Sequence, residues 1–201
     1  MSSFVVQRCT EADIPRVFEI VSLAFAHDHE YVDAVFPAHA TPEGRRARTV
    51  DNDTGTIVAA AKWNFYKDGD VPPQPKMGGN YWKSEEGKEF AQALFHGFFA
   101  PRQRVIEETN ENLAVLDMMM VDPVYQRIGA GRLLLQWGLA RADELGVHTV
   151  VEGSDCGRRL YASEGFEGPH YTVPVLEKFD TRREQTYWWM RRPARNSTTT
   201  P

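Results

Sequence analysis

Several function classes are excluded by what the chain has little of. Its 201 residues include two cysteines, Cys9 and Cys156, with no C-x-x-C and no partner cluster. That argues against a zinc site or a disulfide framework, so no metal is expected and both cysteines read as packing or surface residues. No apolar run approaches the roughly 18 residues that a membrane-spanning helix needs. Met1-Ser2-Ser3-Phe4 has neither a basic n-region nor an apolar h-region, so no secretion signal is read and a cytoplasmic location is expected. Positive charge is not in excess. Lys and Arg number 23 against 28 Asp and Glu, a formal charge of −5 and the wrong sign for a chain held mainly by nucleic acid phosphates. Neither nucleic acid nor a membrane is therefore expected as a partner. What is present is 42% hydrophobic and 25% charged, an ordinary globular composition long enough to bury a sizeable core.

Patterning places the elements. Phe4 to Arg8 has strand composition. Thr10 reads as the N-cap of an amphipathic helix over Glu11 to Phe25, with Pro15 in its first turn, where a missing N–H is harmless. Thr56 to Phe65 reads as a buried strand, and the Pro- and Gly-rich Lys67 to Asn80 as a loop. Ser84 starts a helix to about Phe99. Pro101 is expected to break it, with a second helix running to Thr109. Leu113 to Met120 is an apolar strand stopped by Asp122-Pro123. Gly129 to Leu145 is a helix with Leu133, Leu134, Trp137 and Ala140 on its apolar face and Gly146 as its stop. His148 to Glu152 is a strand and Gly157 to Ser163 a short helix. Tyr171 to Glu177 and Thr186 to Arg191 are the last strands, with Trp188, Trp189 and Met190 as strand core. The pairs Arg182-Arg183 and Arg191-Arg192 read as solvated. Strands interleaved with helices indicate an α/β or α+β fold. Residues 1–192 are expected to form a single domain and 193–201 a disordered tail.

The most informative stretch is Asp122-Pro123-Val124-Tyr125-Gln126-Arg127-Ile128-Gly129-Ala130-Gly131-Arg132. A strand ends, a proline turn follows, and a glycine-bearing loop opens a long helix. The first turn of a helix presents unpaired N–H groups and the positive end of its dipole. Glycine lets an anion approach that backbone, and Arg127 and Arg132 add charges suited to phosphate oxygens. The alternative is a glycine turn used only for tight packing. The segment is not the dinucleotide fingerprint, because the third glycine position is Leu134, and it is not a P-loop, because no G-K-[ST] follows.

Gln126-Arg127-Ile128-Gly129-Ala130-Gly131 resembles Q/R-x-x-G-x-G/A, the acetyl-CoA signature of the GNAT superfamily of N-acetyltransferases. The flanking V-x-P at Val121-Asp122-Pro123 fits as well. Leu160-Tyr161-Ala162-Ser163-Glu164-Gly165-Phe166 resembles the superfamily's second signature, L-Y-x-x-x-G-F. The resemblance, which extends to fungal small-molecule or protein N-acetyltransferases, implies a mixed and mostly antiparallel central sheet flanked by helices. Leu113–Met120 and His148–Glu152 would be parallel neighbours that splay to admit the pantetheine arm. It implies acetyl-CoA as co-substrate, with Met119, Met120 and Val121 along the pantetheine and acetyl group. Arg127, Ile128, Gly129, Ala130, Gly131 and Arg132 would lie on the pyrophosphate. The reaction implied is acetyl transfer to a primary amine by direct attack; the alternative is an acyl-CoA-binding module without catalysis. A homodimer is left open.

Tyr161 is then the expected general acid for the departing thiolate, or else a core aromatic. Asp117, a carboxylate within an apolar strand, is the expected base, because burial would raise its pKa toward a working value; otherwise it is a structural hydrogen-bond acceptor. Glu152 is the second candidate base. The cluster His27, Asp28, His29 and Glu30 lies where such folds place the acceptor, or is a solvated loop. Cys156 lacks the histidine and asparagine of a catalytic cysteine. Two departures stand out. Only Arg48-Thr49-Val50 leaves room for the superfamily's second strand. The stretch 67–112 is long for a link between adjacent strands and reads as an insertion able to cover the acceptor site, with Trp63, Phe65, Tyr66, Tyr81 and Trp82 available to line a pocket.

Overall fold

The computed structural model of the protein describes residues 4–25, 56–68, 71–72, 82–179 and 182–195. The histidine cluster at 27–30, the stretch 48–50, Tyr81 and the tail beyond 195 lie outside the described residues. Helix α1 (Ile14–Ala24) follows one 3-10 turn, Glu11–Asp13. Thr10 closes that turn by donating from its N–H and Oγ1 to Asp13 Oδ2 at 2.7 and 2.9 Å, and Pro15 sits in the first turn of α1 as expected. Then come β1 (Ala59–Tyr66), α2 (Glu85–Glu108), β2 (Leu113–Val121), α3 (Ala130–Leu145), β3 (His148–Gly153), α4 (Asp155–Ser163), β4 (His170–Thr172) and β5 (Thr186–Arg192). The sheet order is β1-β2-β3-β5-β4, and only the β2–β3 pair is parallel. This is the expected mixed, mostly antiparallel sheet flanked by helices.

Alternation along β2 assigns its two faces. Ala114 and Leu116 pack with α3, while Leu113 and Val115 pack with α2. After Leu116 the parity changes: Met119 faces the α3 side, and Met118 and Met120 face α1. The cause is a bulge. Trp63 pairs with Leu116 and Lys62 with Met118, so Asp117 has no counterpart on β1. One extra residue reverses which face every later side chain meets.

Four expectations are corrected. Residues 4–8 form no strand, and Val5 is 81% exposed; strand composition cannot supply a pairing edge. Pro101 does not break the helix, which runs unbroken through it. Packing on both sides of the proline holds the axis, with Phe90 and Leu94 against Val173, Phe179 and Tyr187 before it, and Val105 and Ile106 against Leu113, Val115 and Val150 after it. The last hairpin's first strand shrinks to His170–Thr172, because Pro174 cannot donate to a ladder. Helix α3 buries Ala130, Leu135, Gly138, Leu139 and Ala142, and leaves Leu133 and Trp137 exposed. Small residues set that face. A Cβ on Gly138 would lie 2.0 Å from the Trp63 ring, so the helix seats directly on β1. Trp63 and Phe65 thus pack toward α3, and Tyr66 is on the other face.

Candidate active site

The centre of the site is the seam between β2 and β3. Their pairing runs from Leu113–His148 to Leu116–Val151 and then stops, although both strands continue. Met118 to Val121 stay paired with β1 on one edge. Among the described residues no strand pairs the other edge, which leaves a row of main-chain groups able to bind an extended ligand. Beyond the strand, Asp122 caps the next turn by accepting from Val124 N–H at 3.1 Å. Its other oxygen accepts from Arg16 of α1 at 2.5 Å. Gln126 of the Q-x-x-G-x-G run folds back and donates to the Val121 carbonyl at 3.2 Å.

The loop that follows is an array of donors. Among the described residues, no N–H from Arg127 to Arg132 donates to a partner outside α3; the first such bond is Leu133 N–H to Gly129 O at 3.1 Å. Gly129 has φ +102° and Arg127 +67°, so the backbone turns through left-handed conformations to enter the helix. The two glycines have different tasks. Gly129 supplies the conformation, since a Cβ there would meet nothing within 4 Å; Gly131 supplies closeness, since its Cβ would lie 3.3 Å from Val121 and 3.6 Å from Leu160. The Arg132 guanidinium is engaged elsewhere, donating to Glu164 and, at 3.1 Å, to Ser163 Oγ of α4.

On the α2 side, a cavity of about 850 Å³ opens over the seam. Phe95, Phe98 and Phe99 of α2 line it together with Tyr66 and Tyr187, and Lys62, Asn64, Arg102, Asp117, Glu152, Cys156 and Tyr161 also border it. Tyr187 Oη donates to the Phe98 carbonyl at 2.6 Å, which ties α2 to β5. Tyr161 is buried against Leu116, Val151 and Phe166, and among the described residues its hydroxyl has no hydrogen-bond partner. Burial pushes its phenol well above the ordinary value. Trp82 is not part of this lining.

Asp117 departs from expectation. Burial alone would raise its pKa, but Arg102 and Lys62 outweigh burial and hold the carboxyl below the usual carboxylate range. Arg102 Nη1 donates to its Oδ1 at 2.5 Å, and Asn64 Nδ2 and Lys62 Nζ reach Oδ2 at 2.5 and 2.9 Å. The expected rise toward a working base pKa is corrected, because the sequence places a carboxylate in the strand without showing the cations that converge on it. Glu152 meets the same arginine through both oxygens. Arg102 is the residue that reading the sequence missed; a polar position beside a proline in a charged helix carries no signal of its own.

The profile of the Acetyltransferase (GNAT) family matches residues 14–166, from α1 through the seam and the loop to the glycine turn after α4. The chain belongs to the GNAT family. Like other GNAT proteins it is an acetyl-CoA-dependent acyltransferase. No match is found among curated proteins. Among solved structures it is similar to arylalkylamine N-acetyltransferase 2 from Aedes aegypti (15% identity, TM-score 0.57, 94% of this chain and 98% of that one). It is also similar to a mosquito arylalkylamine N-acetyltransferase like 5b (12% identity, TM-score 0.51, 91% and 96%). A Salmonella typhimurium protein solved with acetyl-CoA matches at 14% identity and TM-score 0.49 over 100% and 99% of the two chains.

The family's co-substrate suits the observed groups. The open edge of β2 suits an extended arm, and the donors at 127–132 suit phosphate oxygens. The reading of the Arg191-Arg192 pair as solvated is corrected at its second residue. Arg192 is not solvated but 3% exposed, with a two-pronged bond to Asp143 of α3 at 2.8 Å, so the end of β5 is fastened to the helix that carries the loop. Among the described residues no group of three or more histidine, cysteine or acidic side chains could hold a metal ion, and no helix is long and apolar enough to cross a membrane.

Proposed function

We propose that the protein transfers the acetyl group of acetyl-CoA to the nitrogen of a primary amine with an apolar body, by direct attack. The observation that carries this reading is the aromatic-walled cavity set against the open seam. The names of the two mosquito neighbours, an arylalkylamine N-acetyltransferase and an arylalkylamine N-acetyltransferase like protein, agree with such an acceptor. Acetyl-CoA supplies a thioester carbonyl. Met119, Met120 and Val121 offer main-chain groups to its arm, and Arg127 to Arg132 offer N–H groups to its pyrophosphate, with Arg132 contributing through its backbone.

Proton removal follows from the electrostatics. An amine arrives as ammonium, and Asp117, held ionised by two cations, is too weak a base to take that proton. The apolar walls disfavour the charged amine, so the neutral form enters and the ammonium proton is lost to solvent. The nitrogen then bonds to the acetyl carbon and the C–S bond breaks, its electron pair leaving with sulfur. Tyr161, protonated throughout the working range, passes its proton to sulfur and regains one from the nitrogen.

The test is thiol release from acetyl-CoA across a panel of amines of graded hydrophobicity and pKa. Aromatic and long-chain amines should be preferred over methylamine. The acidic limb of kcat/KM should move with the pKa of the acceptor and stay in place in Asp117→Asn. A limb fixed at one pH for all acceptors and lost in Asp117→Asn would restore Asp117 as the base. CoA binding with no thiol release from any amine would overturn the reading in favour of a binding module.

A further inference from the structure

Asp117 and Glu152 are the first residues past the end of β2–β3 pairing, one on each strand. Like charges at neighbouring positions of adjacent strands repel. Arg102, six residues before the carboxyl end of α2, enters between them. Its Nε and Nη2 donate to Glu152 Oε1 and Oε2 at 3.0 and 2.5 Å, and its Nη1 donates to Asp117 Oδ1 at 2.5 Å. The three side chains are 13%, 3% and 16% exposed in the order Arg102, Glu152, Asp117. Lys62, 68% exposed on β1, meets Asp117 from the other side. Two cations and two anions therefore cancel at the seam. Only a planar fork can hold both carboxylates at once. The Phe99 ring lies against the guanidinium, 4.4 Å from its carbon, and fixes its plane.

We propose that Arg102 is a positioning residue for acetyl transfer: a clasp from α2 that holds β2 and β3 at the separation where the acyl group docks on Met118 to Val121. Its action is electrostatic. Without the guanidinium, two buried carboxylates face one another with a single exposed lysine between them and solvent. Removing one partner of a buried charged group leaves the remainder uncompensated, whereas removing both restores balance. The kinetic readout rests on the acetyl-transfer reading, and amide exchange supplies one that does not.

The experiment compares the native chain with Arg102→Met and with the double variant Arg102→Met/Glu152→Gln. In Arg102→Met, kcat should fall roughly 10- to 100-fold, as expected when reacting groups are displaced by about an ångström. The dissociation constant of CoA, held chiefly by the phosphate-facing loop and only partly by Met119 to Val121, should rise by a smaller factor than kcat falls. Amide exchange over residues 117–121 and 152–153 should accelerate. In the double variant, which returns the seam to neutrality, at least half of the lost kcat on a logarithmic scale should return and exchange should slow. A side chain that merely packs would not be rescued by deleting a carboxylate on another strand. Unchanged kcat and exchange in Arg102→Met, or no recovery in the double variant, would overturn the clasp. Should Arg102→Met fail to fold, a folded and active double variant supports the clasp and an unfolded one overturns it. Should the native chain acetylate no amine, the functional reading fails and amide exchange alone decides the clasp.

Discussion

The loop at 126–132 and the ion cluster beneath α2 serve the two ends of one seam, yet they are built from opposite materials. The loop binds with main chain. Its requirements are a left-handed φ at Gly129, a close approach at Gly131 and N–H groups left free by the helix start. The cluster works with side chains drawn from four elements, with Arg102 lying 15 residues from Asp117 and 50 from Glu152 and Lys62 joining from β1. A main-chain site depends on a few adjacent residues that permit one conformation. A side-chain site depends on distant elements arriving at the right depth and tilt. The two should therefore fail separately when changed.

The largest separation is expected from Gly129→Glu. It should weaken CoA binding by roughly 100-fold or more, combining about 1–2 kcal/mol of left-handed strain with a carboxylate placed where phosphates bind. Calorimetry checks this, and an unchanged dissociation constant in a folded variant would move the cofactor site elsewhere. Tyr161→Phe should lower kcat by about 100-fold, a typical contribution of a positioned proton donor, with CoA affinity unaltered. Pre-steady-state thiol release distinguishes that outcome from slow product release; full activity would return Tyr161 to a packing role. Phe95→Ala should raise KM for an aromatic amine about tenfold, near 1.4 kcal/mol of lost apolar contact, and leave CoA binding alone. Equal losses for methylamine and an aromatic amine would show that the aromatic wall does not select the acceptor. Smallest is Arg132→Ala, expected to weaken CoA by under about 1 kcal/mol, because its guanidinium is an exposed partner of Glu164 rather than of the loop. A tenfold or larger loss would mean that the arginine leaves Glu164 for the cofactor.

The same contrast explains what could be read in advance. β2, β3 and α3 followed from apolar runs, a proline turn and glycine stops, all local signals, while the parallel β2–β3 pairing followed from the family resemblance. The burial face of α3 did not follow. Its buried side is made of Ala130, Gly138 and Ala142 beside two leucines, and hydrophobicity alone favours Leu133 and Trp137. Pro101 is locally a breaker and globally tolerated, since two clusters of core contacts hold α2 on either side of it. Asp117 was legible as an unusual carboxylate, but the sign of its pKa shift was not. Burial and ion pairing act in opposite directions, and only the second depends on where Arg102 and Lys62 arrive.

By itself, the sequence determined the family, the order of the central elements and the loop that offers N–H groups to an anion. These rest on adjacent residues whose backbone preferences hold in any context. Tertiary structure alone decided that β2 bulges at Asp117, that its pairing with β3 ends one residue earlier, and that an arginine from α2 neutralises the carboxylates buried there. Each of those outcomes depends on distances between elements far apart in the chain. Electrostatic balance at a buried point is a sum over everything that reaches it.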